Sequence, residues 1–153
     1  MKFLPELYPH DVDAAPTNAF TLPDGLLGFK DYIHAELLYN SEQLPFLWMR
    51  LSGPSGKVSF VVLEPGVILP GYEIELFDAD AQSLALSDPS DALVLNIVTL
   101  NPRFPQAATV NLIGPVVVNR RTLIGRQVVI ENHTQFSARH PIVEEAVAAR
   151  DTA

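Results

Sequence analysis

The stretch Ala92-Leu93-Val94-Leu95-Asn96-Ile97-Val98-Thr99-Leu100 sets the architecture. Apolar residues occupy odd and even positions alike, so a strand built here is buried on both faces and belongs near the centre of a sheet. Asn96 is the polar exception, and its amide must find hydrogen-bond partners or cost about 1–3 kcal/mol. The dipeptide Asn101-Pro102 ends the run.

Outward from this segment the chain is a succession of similar short runs. Ile33 to Tyr39, Phe46 to Leu51, Val58 to Leu63, Tyr72 to Leu76, Val110 to Ile113, Val116 to Val118 and Gln127 to Ile130 are all rich in Val, Ile, Leu and aromatics. Bounded by turn residues, runs of this length read as strands. In Tyr72-Glu73-Ile74-Glu75-Leu76 apolar residues alternate with glutamates, so one face is buried and the two carboxylates face water. Gly53 to Lys57 has the composition of a hairpin loop, and Asn119 to Gly125 is expected to turn the chain. Thirteen scattered prolines exclude long helices. Two short ones are expected: Asp78 to Leu86, and a tail from Pro141 to Ala149 with Pro at its first position. Many short strands with close turns point to a mainly β sandwich or barrel, where closure removes exposed edges.

A chain of 153 residues makes one ordinary domain, read as 1–153, and buries roughly two thirds of its unfolded surface. Cys is absent, which removes disulfides and thiolate chemistry and suits a reducing compartment. No apolar run reaches the roughly 20 residues that span a bilayer, and no signal-peptide pattern opens the chain. Cytoplasmic residence without a membrane partner is the resulting expectation. The net charge of −8 argues against direct nucleic-acid binding, which depends on cations displacing counterions. The charge is uneven. No Lys or Arg lies between Lys57 and Arg103, whereas Glu64, Glu73, Glu75, Asp78, Asp80, Asp88 and Asp91 do. Such asymmetry steers and orients a basic partner.

Catalytic patterns fail one by one. There is no Gly-x-Ser-x-Gly elbow, and His10, His34, His133 and His140 lack the spacings of zinc enzymes. Asp78-Ala79-Asp80 begins like a calcium loop, but Gln82 occupies the third acidic position and the required glycine is missing. Gly53-Pro54-Ser55-Gly56-Lys57 is no phosphate loop, since Leu51 stands at the first glycine position and Val58 follows the lysine. Glu73 and Glu75 share a solvent face, which gives no reason for a shifted carboxyl. Neither a metal, a cofactor nor an enzymatic activity is expected.

Six blocks in fixed order carry a family resemblance. They are Leu22-Pro23-Asp24-Gly25-Leu26-Leu27-Gly28-Phe29, Pro45-Phe46-Leu47-Trp48, Pro70-Gly71-Tyr72-Glu73, Asn111 to Asn119, Gln127-Val128-Val129-Ile130 and Arg139-His140-Pro141. Together they resemble the bacterial flagellar assembly factor FliW family from about Leu22 to Ile142. Leu22 departs from a usual Phe, Phe136 from a common Tyr, and residues 1–17 do not match the usual first strand and turn.

The resemblance implies a pseudo-barrel of two strongly bent antiparallel sheets with one or two short helices. It also implies two protein partners held in alternation: cytoplasmic flagellin, and CsrA, a small RNA-binding regulator that represses flagellin translation. A monomer in the unbound state is expected. The acidic set Glu73, Glu75, Asp78 and Asp80 is the candidate CsrA-facing surface, because RNA-binding proteins expose Lys and Arg. Arg139 and His140 at a strand exit are further candidates, either bracing the C-terminal tail, 142–153, or touching a partner. Gly25 and Gly28 read as positive-φ turn residues, Trp48 as core, and Asn111 as capping or bulging a strand. The competing class is a small-ligand-binding β-barrel with a hollow interior closed by the loop Pro23 to Phe29.

Overall fold

The computed structural model describes residues 19–39, 41–64, 69–100 and 108–142. The strands are β1 (Ala19–Thr21), β2 (His34–Leu38), β3 (Leu47–Gly53), β4 (Gly56–Leu63), β5 (Ala92–Thr99), β6 (Thr109–Val110), β7 (Val116–Asn119), β8 (Ile124–Gln127) and β9 (His140–Pro141). One helix of these residues, α1 (Asp78–Ser83), and two 3-10 turns, Pro89–Asp91 and His133–Gln135, complete the described elements. Asp88 caps the first turn by accepting the Ser90 N–H at 3.0 Å, which holds the exposed Asp88 carboxyl below its usual range.

The strands follow the order β4-β3-β2-β1-β8-β7-β5-β6-β9, and a β4–β5 pairing closes the first seven into a barrel. β5 makes the closure because its two halves serve different neighbours. Ala92 to Leu95 pair with β7, whereas Asn96 to Val98 pair with β4 and Val98 to Thr99 with β6. The doubly apolar composition of this stretch thus reflects its place between layers. All neighbours are antiparallel except β1 and β8, which meet in parallel at Thr21 and Ile124.

Side-chain alternation divides the core. Leu37, Leu47, Met49, Leu51, Leu93 and Leu95 fill the barrel with Val116 and Val118. Val117, pointing the other way from β7, meets Leu84 beside α1, together with Val128, Ile74 and Leu76. A third cluster of Leu63, Val98, Val110 and Leu112 lies under Tyr72 and Phe136. The two departures from the family pattern keep apolar volume: Leu22 is fully buried, and Phe136 packs edge-on against Tyr72 at 4.7 Å.

Several local expectations are revised. Tyr72 to Leu76 joins no ladder, although its expected alternation of burial is present. The reason is that its main chain is met by a side chain and a loop. α1 stops at Ser83, where Leu84 and Ala85 leave the helix and Ala85 takes φ of 53°. The ladder expected at Gln127 begins three residues earlier, since the turn before it spans only 120–123. β6 is cut to two residues because Asn111 Oδ1 accepts the N–H groups of Ile113 at 3.1 Å and Gly114 at 2.9 Å. Pro141 lies in β9, opposite Thr109, instead of opening a helix. The rest of that tail, and the first strand in doubt at 1–17, fall outside the described residues. Trp48 is 36 % exposed and donates Nε1–H to Gln43 at 3.0 Å, so it is a surface residue.

Candidate partner-binding surface

The acidic segment is held by contacts on both sides of its chain. Tyr72 anchors one end: its hydroxyl donates to the Leu112 carbonyl and accepts from Asn96 Nδ2 at 3.3 Å. Burial raises the Tyr72 pKa, opposed by the Asn96 hydrogen bond. Asn96 Nδ2 also donates to the Asn111 carbonyl at 2.8 Å, while its Oδ1 has no partner among the described residues. Further on, Asn132 does what a neighbouring strand would do. Its Oδ1 accepts the Glu75 N–H at 2.9 Å, its Nδ2 donates to the Glu73 carbonyl at 2.9 Å, and Glu131 N–H donates to the Glu75 carbonyl at 2.6 Å.

With the main chain satisfied inward, the side chains of Glu73 and Glu75 stand in solvent. Asp78 is exposed and Asp80 half-buried in the first turn of α1, where carboxylates complement the unpaired N–H groups of a helix start. Arg126 Nη1 lies 3.8 Å from Asp80 and donates to Ser83 Oγ at 2.6 Å. Glu73, Glu75 and Asp78 make no ion pair among the described residues. Three of the four acidic candidates therefore make an exposed acidic ridge without a cation partner among the described residues, and the fourth is shared with Arg126.

Arg139 is exposed and its N–H donates to Ser137 Oγ at 3.0 Å, while His140 is half-buried opposite Val110. Among the described residues neither makes a hydrogen bond or ion pair to the acidic four. They follow the same 131–137 loop that carries Asn132, whose Ser137 carbonyl accepts the Leu112 N–H at 3.0 Å.

A second feature escaped the sequence. Beside α1 a cleft of about 680 Å³ opens between the loop at 24–30 and the chain at 126–129. Leu27 on its lip is 92 % exposed, and Val129 on its floor is 57 % exposed. The loop is firm. Phe29 packs edge-on against Phe60 at 5.2 Å and Tyr32 at 5.7 Å, and Gly25 sits at φ of 61°. A Cβ on Gly25 would stand 2.2 Å from the Phe29 carbonyl oxygen, so no other residue fits. The sequence signal was the Leu26-Leu27 pair between two turn glycines, one leucine of which is 4 % exposed and the other thrust outward.

The model of the family described as FliW protein matches residues 7–142. The chain belongs to that family. A flagellar assembly factor FliW from Desulfitobacterium hafniense (strain Y51) is 35 % identical over 141 residues, covering 90 % of this chain and 89 % of the relative. One from Treponema pallidum (strain Nichols) is 36 % identical over 131 residues, covering 85 % and 84 %. A crystal structure of the flagellar assembly factor FliW superposes with a TM-score of 0.73 at 27 % identity, covering 87 % of this chain and 91 % of that one. The mainly β barrel with few helices is thus the FliW architecture, and the acidic ridge and the cleft are features of a FliW-type barrel. No helix among the described residues is long and apolar enough to cross a membrane.

Proposed function

We propose that this protein is a flagellar assembly factor acting in the cytoplasm by adhesion alone, binding flagellin awaiting export and, alternately, the RNA-binding regulator CsrA. Sequestering CsrA relieves repression of flagellin translation, and accumulated flagellin releases it again. The observation that carries the reading is the ridge of Glu73, Glu75 and Asp78, exposed and without ion pairs among the described residues, with Glu73 and Glu75 held in place by Asn132. A fixed negative surface suits a partner that exposes Lys and Arg to RNA, and speeds their encounter. Arg139 and His140, on the adjoining strand exit, are proposed at its margin.

The test is Glu73→Lys combined with Glu75→Lys, read by CsrA association kinetics across salt concentrations. Association slows and its salt dependence flattens if the ridge is the contact; unchanged association at low salt contradicts the assignment. The small-ligand barrel is disfavoured by an interior packed with Leu37, Leu47, Met49, Leu51, Leu93 and Leu95.

A further inference from the structure

The cleft beside the ridge contains an unfinished strand edge. Val128 N–H donates to the Pro115 carbonyl at 3.0 Å and Ile130 N–H to the Ile113 carbonyl at 3.1 Å, extending the β7–β8 alignment. In an antiparallel ladder alternate residues turn their main-chain groups to opposite edges, so Gln127 and Val129 direct theirs away from β7. β1 should cover that edge but lasts only one step, with Thr21 N–H donating to the Leu123 carbonyl at 2.9 Å. Two residues later Pro23 has no N–H to offer. The chain is also drawn off by Leu22 N–H, which donates to the Ile33 carbonyl at 2.7 Å.

Besides the Asp24–Arg126 ion pair, the Gln127 side chain bridges the gap, its Oε1 accepting the Leu27 N–H at 3.0 Å and its Nε2 donating to the Gly114 carbonyl at 3.2 Å. Among the described residues nothing pairs with the main chain of Val129, and the Gln127 groups face the same way beyond the end of β1. The edge closes again at Glu131, which is taken by Glu75.

Unpaired N–H and C=O groups at strand spacing, flanked by exposed Leu27 and Val129, are the recognition chemistry for an extended chain added as a strand. The charge of the cleft selects between partners. Asp24 is paired with Arg126 at 3.1 Å and Lys30 makes no ion pair among the described residues, so the cleft, unlike the ridge, presents no uncompensated carboxylate to a basic partner. We propose that this edge takes an extended, apolar, uncharged or weakly acidic segment of flagellin as an added strand. This rests on flagellin being a partner at all.

The experiment is residue-resolved amide hydrogen exchange by NMR on the full chain, alone and with flagellin, together with flagellin affinities of Leu27→Asp and Val129→Asp. Expected is slowed exchange at Gln127 and Val129 on binding, with Val128 and Ile130 little changed because their hydrogen bonds already exist. Each substitution should weaken flagellin binding roughly tenfold or more while CsrA binding, which reports an intact fold, persists. If flagellin binds without slowing those two amides, or both variants bind it normally, the strand-addition proposal is wrong and the partner assignment stands. If wild-type protein does not bind flagellin, both fall. Slow exchange at both amides in the free protein would show the edge occupied by this chain itself or a second copy, and also overturns the proposal.

Discussion

Asn132 completes the main-chain bonding of Glu75 from outside the ladder, accepting its N–H at 2.9 Å while donating to the Glu73 carbonyl at the same distance. One side chain thereby fixes two residues of the acidic ridge without burying their carboxylates. Glu73 and Glu75 are thus pinned by a side chain and not by a helix or sheet.

Asn132→Ala should therefore uncouple ridge order from barrel stability. Both bonds are solvent-accessible, so the global cost is about 0.5–1.5 kcal/mol, measured by urea unfolding. The larger effect falls on CsrA binding, through ordering of the freed segment on contact. Asn132→Asp is expected to be worse than Ala for the ridge, since it places an acceptor-only carboxylate against the Glu73 carbonyl. Equal CsrA affinity in all three proteins would show that the pinning is irrelevant to recognition.

Tyr72 supplies a pH signature. Burial raises its folded pKa above the ordinary value near 10, so the folded protein holds this proton more tightly than the unfolded chain. Stability is then fully present below about pH 10 and declines as pH climbs through the folded value, because the unfolded state releases its proton first. Tyr72→Phe abolishes this alkaline slope and, at neutral pH, removes the hydroxyl shared by the Leu112 carbonyl and Asn96 Nδ2. The cost is about 1–3 kcal/mol. Urea midpoints at several pH values between 8 and about 11 distinguish the two effects, and a slope surviving in Tyr72→Phe assigns it to another group.

How far the sequence reveals this molecule depends on which residues satisfy the main chain. Where neighbouring strands do so, as in β3, β4 and β5, apolar runs and turn residues give the elements closely, and even the central place of Leu93 to Val98 is legible. Where a side chain substitutes for a strand, as Asn132 does for Tyr72 to Leu76 and Asn111 does after β6, hydrophobic alternation survives but the ladder does not. Period-two burial reports faces and is silent about edges. The exposure of Glu73 and Glu75 was consequently readable, whereas the pairing of Asp80 with Arg126, forty-six positions apart, was not. The open edge at Gln127 to Val129 was hidden for the same reason: it depends on Pro23 lying two residues past a parallel contact that no local pattern announces.

Asn119 is the polar residue on which the outer layer turns. It is 1 % exposed, donates to the Leu84 and Ala85 carbonyls at 2.8 and 3.2 Å, and accepts from the N–H groups of Arg121 and Thr122 at 2.8 and 3.3 Å. It therefore joins the end of β7, the exit of α1 and the turn at 120–123. Asn119→Ala should cost about 2–4 kcal/mol, as several buried groups lose partners together. Asn119→Asp keeps the two acceptor bonds and sets a carboxylate against two carbonyls, so it should also destabilise strongly, and less so at acid pH where a protonated carboxyl can donate. Thermal unfolding at pH 4 and 7 reads the difference.

Arg126 physically joins the two proposed sites. Its guanidinium is 3.1 Å from Asp24 on the cleft loop, 3.8 Å from Asp80 of the acidic set, and bonded to Ser83 at the end of α1. These ion pairs are partly exposed, so Arg126→Gln should alter stability by only about 0.2–1 kcal/mol. Mutual exclusion of two partners nevertheless requires a coupling free energy between their sites, about 1.4 kcal/mol for each tenfold. A segment entering the cleft that displaces Arg126 from Asp24 leaves the guanidinium on Asp80, where it cancels part of the ridge charge, and a basic partner that takes Asp80 leaves Arg126 on Asp24, across the cleft. In the wild-type protein saturating flagellin should therefore weaken CsrA binding, and CsrA should weaken flagellin binding by the same factor. Arg126→Gln should bring that factor toward one while leaving each separate affinity within a few-fold, measured by calorimetric titration of either partner with and without the other. If the factor is unchanged in Arg126→Gln, exclusion arises from direct steric overlap of the two partners instead of through this side chain.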